Sequence, residues 1–142
     1  MSKFALKVGD QFTFTKTVSE SDVYLFAGIT GDLSPNHVNE EAMKATRYGG
    51  RIAHGALLIG YMSTCSTLAC EAAGTGEFGT PVSLGYDRVR FLAGVLIGDT
   101  VTVTYTISAV KISEKRTVSS IEIKNQRDEL VAVASHILKW VD

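Results

Sequence analysis

The chain of 142 residues contains little cysteine, little proline and no large excess of charge of either sign. Two cysteines are too few for a disulfide framework. Cys65 and Cys70 fall on one predicted helix and point about 140° apart, so they cannot pair with each other. Free thiols are typical of a reducing compartment, and we expect a cytoplasmic protein.

The formal net charge is −1, and this near balance gives no basic excess. We therefore expect neither a nucleic-acid nor a membrane partner, because both favour a basic patch. The N-terminus, MSKFALKVGDQF, lacks an apolar core and predicts no signal peptide. The one long apolar run, residues 52–73, is interrupted by polar residues such as His54, Ser63 and Glu71. A buried core helix fits that run better than a membrane span.

Alternation of apolar and polar residues predicts strands over residues 11–18, 100–110 and 116–124, and residues 82–92 and 130–141 are also predicted to be strands. The last four strands are separated by short connections, which favours an antiparallel meander. Short helices are predicted after the caps Ser19, Ser34 and Asn39. These elements imply one domain over residues 1–142.

A longer helix is predicted over residues 54–72, with apolar residues on nearly all sides. A helix of this kind is expected to be buried all round. A sheet with one apolar face must cover it, and this helix is the available cover. The sequence therefore predicts an α+β fold in which a curved antiparallel sheet wraps around a long central helix.

The stretch around this helix holds the residues with chemical potential. Asp32 and His37 flank a proline-bearing turn, and His54-Gly55 opens the long helix. An acid, an imidazole and a helix N-terminus in one small volume suit chemistry on a carbonyl compound. Alone, an Asp or a His in such a turn is usually a cap or turn residue. The spacing of Asp32, His37 and His54 matches no zinc pattern, and we expect no metal site.

The runs DLSPNH at 32–37 and RIAHGALL at 51–58, followed by Ser63, resemble the MaoC-like dehydratases. These proteins, also called (R)-specific enoyl-CoA hydratases, have the hotdog fold and the pattern D-x-N-P-x-H followed by a His-Gly pair. The chain departs from this pattern at Ser34, where the family usually has Asn. It also departs at Gly94, where Pro is common, a position that we expect to lie outside the site.

The resemblance implies a role for each residue of the site. Asp32 would be the base that activates water, and His37 would hold that water and share the proton. The Gly55 N–H would bind the thioester oxygen, where the helix N-terminus also favours negative charge. Ser63 would orient the carboxylate or the water. His54 would support the site structurally rather than act in catalysis.

The resemblance further implies hydration of 2-enoyl-CoA to (R)-3-hydroxyacyl-CoA, or the reverse dehydration. No metal or redox cofactor is implied, since CoA serves as the carrier of the substrate. It also implies a homodimer or higher homo-oligomer whose sheets join edge to edge, with acyl-CoA near the interface. Such pairing would cover exposed strand edges.

Two other functions stay open at this point. A hotdog thioesterase would hydrolyse the thioester, whereas a non-catalytic subunit would only bind acyl-CoA. Arg88 and Arg90 alternate along one strand and are either ligands of CoA phosphates or part of a solvated face. The acyl chain length and the choice between CoA and acyl carrier protein are not determined by the sequence.

Overall fold

A computed structural model describes residues 4–74 and 77–142 of the chain. Its strands are β1 Gln11–Thr17, β2 Thr80–Phe91, β3 Thr100–Lys111, β4 Arg116–Lys124 and β5 Leu130–Val141. Its α-helices are α1 Glu20–Thr30, α2 Pro35–Val38, α3 Glu40–Lys44 and α4 Gly55–Ala73, and a 3₁₀ turn covers Ile112–Glu114. The predicted α+β fold, with a five-stranded antiparallel sheet and a long helix, is confirmed.

The first helix begins and ends as its sequence predicts. The Ser19 hydroxyl accepts a hydrogen bond from the Asp22 N–H at 3.1 Å, and the Asp22 carboxylate accepts one from the Ser19 N–H at 3.0 Å. Gly31 ends the helix with a φ of 78°, a left-handed conformation that favours glycine. The reversal at Gly31 places Asp32 immediately beyond the end of α1.

The strand order across the sheet is β1-β3-β4-β5-β2. The predicted meander is therefore confirmed for β3, β4 and β5, but it is wrong for β2, which pairs with β5 instead of β3. The segment between β2 and β3 runs beside the loop before α4, with a bridge between Ile52 and Leu96. This crossing carries the chain to the far edge of the sheet, where β3 pairs with β1.

Helix α4 is buried along one face only, so the prediction that it is buried all round was wrong. Its buried residues are Leu58, Tyr61, Met62, Cys65, Ser66 and Ala69. They belong to the core shared with the sheet, and the helix contacts β1 and β3. The opposite face is exposed and carries mainly small residues, at Ala56, Gly60, Ser63 and Thr67. A single copy of the chain has one sheet, which can cover only one side of the helix.

By length and composition alone, α4 could cross a membrane. Its apolar face instead packs in the protein core, as predicted for residues 52–73. Cys65 is buried, Cys70 is partly buried, and both are free thiols, so the prediction that they do not pair is confirmed. Burial raises the pKa of the Cys65 thiol to about 11, which leaves it protonated and unreactive at neutral pH.

Candidate active site

Three short segments lie side by side just before α4. The Ile52 N–H donates to the carbonyl of Asn36 at 3.0 Å, and the Ala53 N–H donates to the carbonyl of Val95 at 2.7 Å. These bonds attach α2 to the loop that leads into α4. They bring the α2 residue His37 next to the N-terminus of α4, although the two are far apart in sequence.

Arg51 fastens the same loop to the two helices on either side of α2. Its guanidinium lies 3.2 Å from the Glu20 carboxylate of α1 and 3.0 Å from the Glu40 carboxylate of α3. It also donates to the Tyr24 hydroxyl at 2.8 Å. These charge-assisted hydrogen bonds raise the pKa of Arg51 and hold the loop in one conformation.

The protonation of His37 is set by a backbone contact. Its Nδ1 atom lies 2.7 Å from the carbonyl oxygen of Ile52. A carbonyl oxygen only accepts, so Nδ1 must carry the hydrogen. In the neutral ring Nε2 is then an acceptor, able to receive a hydrogen bond or a proton. The half-buried ring is thus held in one tautomer and one orientation.

His54 lies at the centre of the site and is almost fully buried. Its ring stacks on His37 with centroids 3.6 Å apart, and Phe26 packs nearby at 4.7 Å. Its Nε2 lies 2.9 Å from the carbonyl oxygen of Asp32 and must donate to it. His54 therefore contacts both predicted catalytic residues: its ring stacks on the His37 ring, and its Nε2 bonds the backbone carbonyl of Asp32.

The Asp32 carboxylate is exposed and lies beside the two imidazoles. One donor atom from each of Asp32, His37 and His54 lies within 4.8 Å of the other two. A single water molecule with hydrogen bonds of about 2.8 Å can bridge a gap of that size. The Ser34 N–H, at 3.3 Å from the carboxylate, helps to fix its position. The arrangement has an acid, a base and room for one water between them.

These three residues have suitable ligand types for a cation, but their geometry is poor for one. A metal bound to imidazole lies near the ring plane, at about 2.1 Å from the nitrogen. The His37 and His54 rings are stacked, with planes inclined by only 24°. Nearly parallel planes cannot meet at one ion close to both rings. The donor set is therefore better suited to proton transfer than to metal binding.

Gly55 begins α4 at the end of a cleft of about 190 Å³. Its N–H has no acceptor among the described residues, as expected in the first turn of a helix. A Cβ at this position would lie 2.7 Å from the Phe91 ring, so only glycine allows this close approach. The cleft walls are formed by His37, Ile52, Ala53, Leu58 and residues 91–95, and Arg47 and Tyr48 also line it.

One position differs from what the sequence suggested. Gly94 lines the cleft, so the prediction that it lies outside the site was wrong. A Cβ there would lie 2.8 Å from the Tyr48 ring, and that close contact joins residues distant in sequence. Arg88 and Arg90 do not line the cleft.

Ser63 lies about two turns along α4 from Gly55, on the exposed face. Burial raises the pKa of the Tyr86 hydroxyl, and a hydrogen bond with the Ser63 side chain opposes that shift. Within the described chain, Ser63 makes no hydrogen bond to Asp32 or His37. Its role in orienting the carboxylate or the water stays a prediction.

Sequence patterns alone did not point to the cleft residues Arg47, Tyr48 and Phe91. Arg47 and Tyr48 lie just after α3, in a segment without periodicity, and Phe91 is the last residue of a strand. Only their spatial proximity to Gly55 and His37 marks them as part of the site. A Gly-Gly pair after Tyr48 was the one local signal of a turn there.

A curved antiparallel sheet with a long helix against it defines the hotdog class of proteins. The chain superposes on the (R)-hydratase from A. caviae involved in PHA biosynthesis with a TM-score of 0.85 and 23% sequence identity. The superposition covers 96% of this chain and 98% of that one. This likeness establishes the fold.

The family follows from the sequence comparison. The MaoC like domain family model matches residues 3–129, and the chain belongs to this family. It is 41% identical over 114 residues to an "(R)-specific enoyl-CoA hydratase" of Rhodospirillum rubrum, covering 80% of this chain and 74% of the relative. It is 37% identical over 111 residues to a "3-hydroxybutyryl-CoA dehydratase" of Methylorubrum extorquens, covering 78% of this chain and 66% of the relative. The predicted resemblance is confirmed.

Proposed function

We propose that this protein adds water to 2-enoyl-CoA to form (R)-3-hydroxyacyl-CoA, or catalyses the reverse dehydration. One observation carries the proposal: Asp32 lies close to His37 and His54, and His37 lines the same cleft as Gly55, whose N–H has no acceptor among the described residues. The similarity to an (R)-specific enoyl-CoA hydratase and a 3-hydroxybutyryl-CoA dehydratase supports this reaction. On this assignment the protein is a lyase.

In the proposed mechanism, one water lies between the Asp32 carboxylate and Nε2 of His37. The contact of Nδ1 with the Ile52 carbonyl leaves Nε2 able to accept a hydrogen bond from that water. As the water oxygen attacks C3 of the enoyl group, Asp32 takes its proton. Asp32 then returns that proton to C2, so the hydroxyl is on C3, the hydrogen is on C2, and both residues are in their initial states.

Negative charge develops on the thioester oxygen during this attack. The Gly55 N–H and the N-terminal end of α4 are suited to stabilise that oxygen. A thioester fixed there would present one face of its double bond to Asp32 and His37. Because both residues lie on the same side, the expected addition is syn, with the (R)-3-hydroxyacyl thioester as product.

The proposed reaction needs proton transfer and oxyanion stabilisation, and neither step requires a metal or redox cofactor. CoA enters only as the carrier of the acyl group. A thioesterase on the same fold would instead break the thioester and release a thiol, while a non-catalytic binding subunit would leave the substrate unchanged. The intact pair Asp32 and His37 favours catalysis over the second alternative. We further propose a cytoplasmic location, which the free thiols of Cys65 and Cys70 support.

We also propose that two copies pair through β2, the longer of the two edge strands. Its outer edge has no strand partner among the described residues, and Leu84 on it is 49% exposed. The exposed, small-residue face of α4 would be covered in the same dimer. Since β2 ends at Phe91, which packs on Gly55, such an interface would adjoin the cleft.

The activity is tested with purified protein and a panel of 2-enoyl-CoAs of different chain length. Loss of the conjugated chromophore without release of a free thiol is expected, and chiral analysis should identify the (R) product. Reaction in deuterated water should place the deuterium on C2 by syn addition. Release of free CoA would instead indicate a thioesterase, and a mainly (S) product would contradict the proposed site.

A further inference from the structure

We propose that Arg47 is the residue that binds the phosphate of the pantetheine carrier, an inference that rests on the proposed function. Arg47 lines the same cleft as His37 and Gly55. The reacting end of the substrate is fixed by Asp32, His37 and Gly55. The carrier must therefore leave along the cleft, past the side chains that line the rest of it.

The charges of the cleft are unbalanced. No Asp or Glu lines it, and Arg47 is its one Lys or Arg among the described residues. Most other cations in the described chain are paired with carboxylates, for example Arg51 with Glu20 and Glu40. Within the part of the chain that the structure describes, Arg47 has no such ion pair.

The contacts of Arg47 leave its charge available to an anion. Its guanidinium lies over the Tyr48 ring at 5.1 Å from the centroid and donates to the Tyr48 hydroxyl at 3.3 Å. Tyr48 in turn packs closely against Gly94, which also lines the cleft. The stacking orients the guanidinium beside the cleft without neutralising it.

The chemistry of the cleft matches a slender chain that ends in a phosphate. Its walls are largely aliphatic and aromatic, which suits the methylene and methyl groups of pantetheine. A guanidinium forms paired hydrogen bonds with phosphate oxygens more readily than a lysine ammonium does. Arg88 and Arg90, the cations that the sequence suggested, also lack carboxylate partners, but neither lines this cleft.

The test compares the 2-butenoyl thioesters of three carriers: N-acetylcysteamine, which has no phosphate, 4′-phosphopantetheine, and CoA. Wild type is compared with Arg47→Gln and with Arg116→Gln as a matched control. Among the described residues, Arg116 also has no carboxylate partner. It lies far from the cleft: it pairs with Lys139 of β5, seven residues along that strand from Ala132, which pairs with the cleft residue Phe91. That spacing is about 23 Å along the strand.

Arg47→Gln should raise KM for the CoA thioester by about 10-fold, the effect of losing one charged hydrogen bond, while kcat stays unchanged. The N-acetylcysteamine thioester should show no change, and Arg116→Gln should behave as wild type. If Arg47→Gln raises KM equally for the phosphopantetheine and CoA thioesters, the contact is with the phosphate attached to pantetheine, which CoA and acyl carrier protein share. A defect with CoA alone assigns it to the nucleotide phosphates.

Two outcomes would overturn the inference: an unchanged KM for the CoA thioester in Arg47→Gln, or an equal loss with N-acetylcysteamine. Either result, with an active wild type, leaves the proposed function standing. A wild-type protein that hydrates none of the three thioesters would overturn both the proposed function and this inference.

Discussion

The chemistry of this site depends on contacts made by single residues with backbone carbonyls. Ile52 fixes the tautomer of His37, and the Asp32 carbonyl fixes that of His54. The two rings stack on each other, and one ring nitrogen of each lies within 4.8 Å of an Asp32 carboxylate oxygen. A change at either proposed catalytic position therefore removes a proton acceptor, whereas the bonds between backbone groups that join the three segments do not involve these side chains.

Asp32→Asn and His37→Gln should each lower turnover of a 2-enoyl-CoA by at least about 10²-fold, because each removes a general acid–base group. Steady-state kinetics on folded protein measures the effect. Asp142→Asn is the matched control, since Asp142 is exposed and its carboxylate pairs only with Lys115. Near-normal turnover in either site variant would remove that residue from the mechanism.

Among the elements, α4 differs most between its two faces. Leu58 is 3% exposed and packs in the core, whereas the adjacent Ile59 is only partly buried. Leu58→Ala should lower the free energy of unfolding by about 2–5 kcal/mol, because it leaves a cavity. Ile59→Ala should cost clearly less. Urea unfolding of both variants tests this, and an equal cost at the two positions would mean that α4 packs differently.

A polar cluster joins β2, β3 and β5 within the core. His136 is fully buried, with Nε2 2.7 Å from the Ser83 hydroxyl and Nδ1 2.8 Å from the Tyr105 hydroxyl. Tyr86 stacks on its ring at 4.3 Å. Burial lowers the pKa of His136 to about 4, so the folded protein holds this imidazole neutral.

Stability should therefore depend on pH through His136. Between about pH 6.5 and 4 the unfolded state binds this proton and the folded state does not. The free energy of unfolding is therefore unaffected by protonation of His136 above this window. As the pH falls through the window, it decreases by up to about 3 kcal/mol. Urea unfolding at several pH values measures it. His136→Asn should flatten the slope in this window, and an unchanged slope would contradict the assignment.

At the scale of the whole molecule, three uncovered surfaces belong to elements that reach the cleft. The β2 edge, its exposed Leu84 and the exposed face of α4 all belong to elements that adjoin the cleft. A dimer through this surface would cover an open strand edge and a small-residue helix face together. The proposed dimer is thus linked to the integrity of the site.

If the proposed dimer forms through β2, Leu84→Asp should convert it to a monomer and lower hydratase activity, because a buried, unpaired carboxylate is costly at an interface. Ile112→Asp is the control, since Ile112 is similarly exposed, at 59%, but lies in the 3₁₀ turn. Analytical ultracentrifugation measures the mass of each variant. A Leu84→Asp protein that stays dimeric would exclude the β2 edge as the interface.

The amino-acid sequence by itself determined the local features of this protein. The strands predicted over residues 116–124 and 130–141 match β4 and β5 to the residue, and the Ser19 cap predicted the start of α1. The runs at 32–37 and 51–58 identified the family, because the residues that carry the chemistry lie within two short stretches. Such features depend on neighbours a few positions apart, which the sequence displays directly.

Only the tertiary structure decided what depends on distant residues. It placed β2 beside β5, left one face of α4 exposed, and brought Gly94, Tyr48 and Arg47 to one cleft. It also stacked His37 on His54 and directed the Nδ1 atom of His37 to the Ile52 carbonyl. These relations follow from the path of the chain between elements, where packing of the whole core outweighs any local preference.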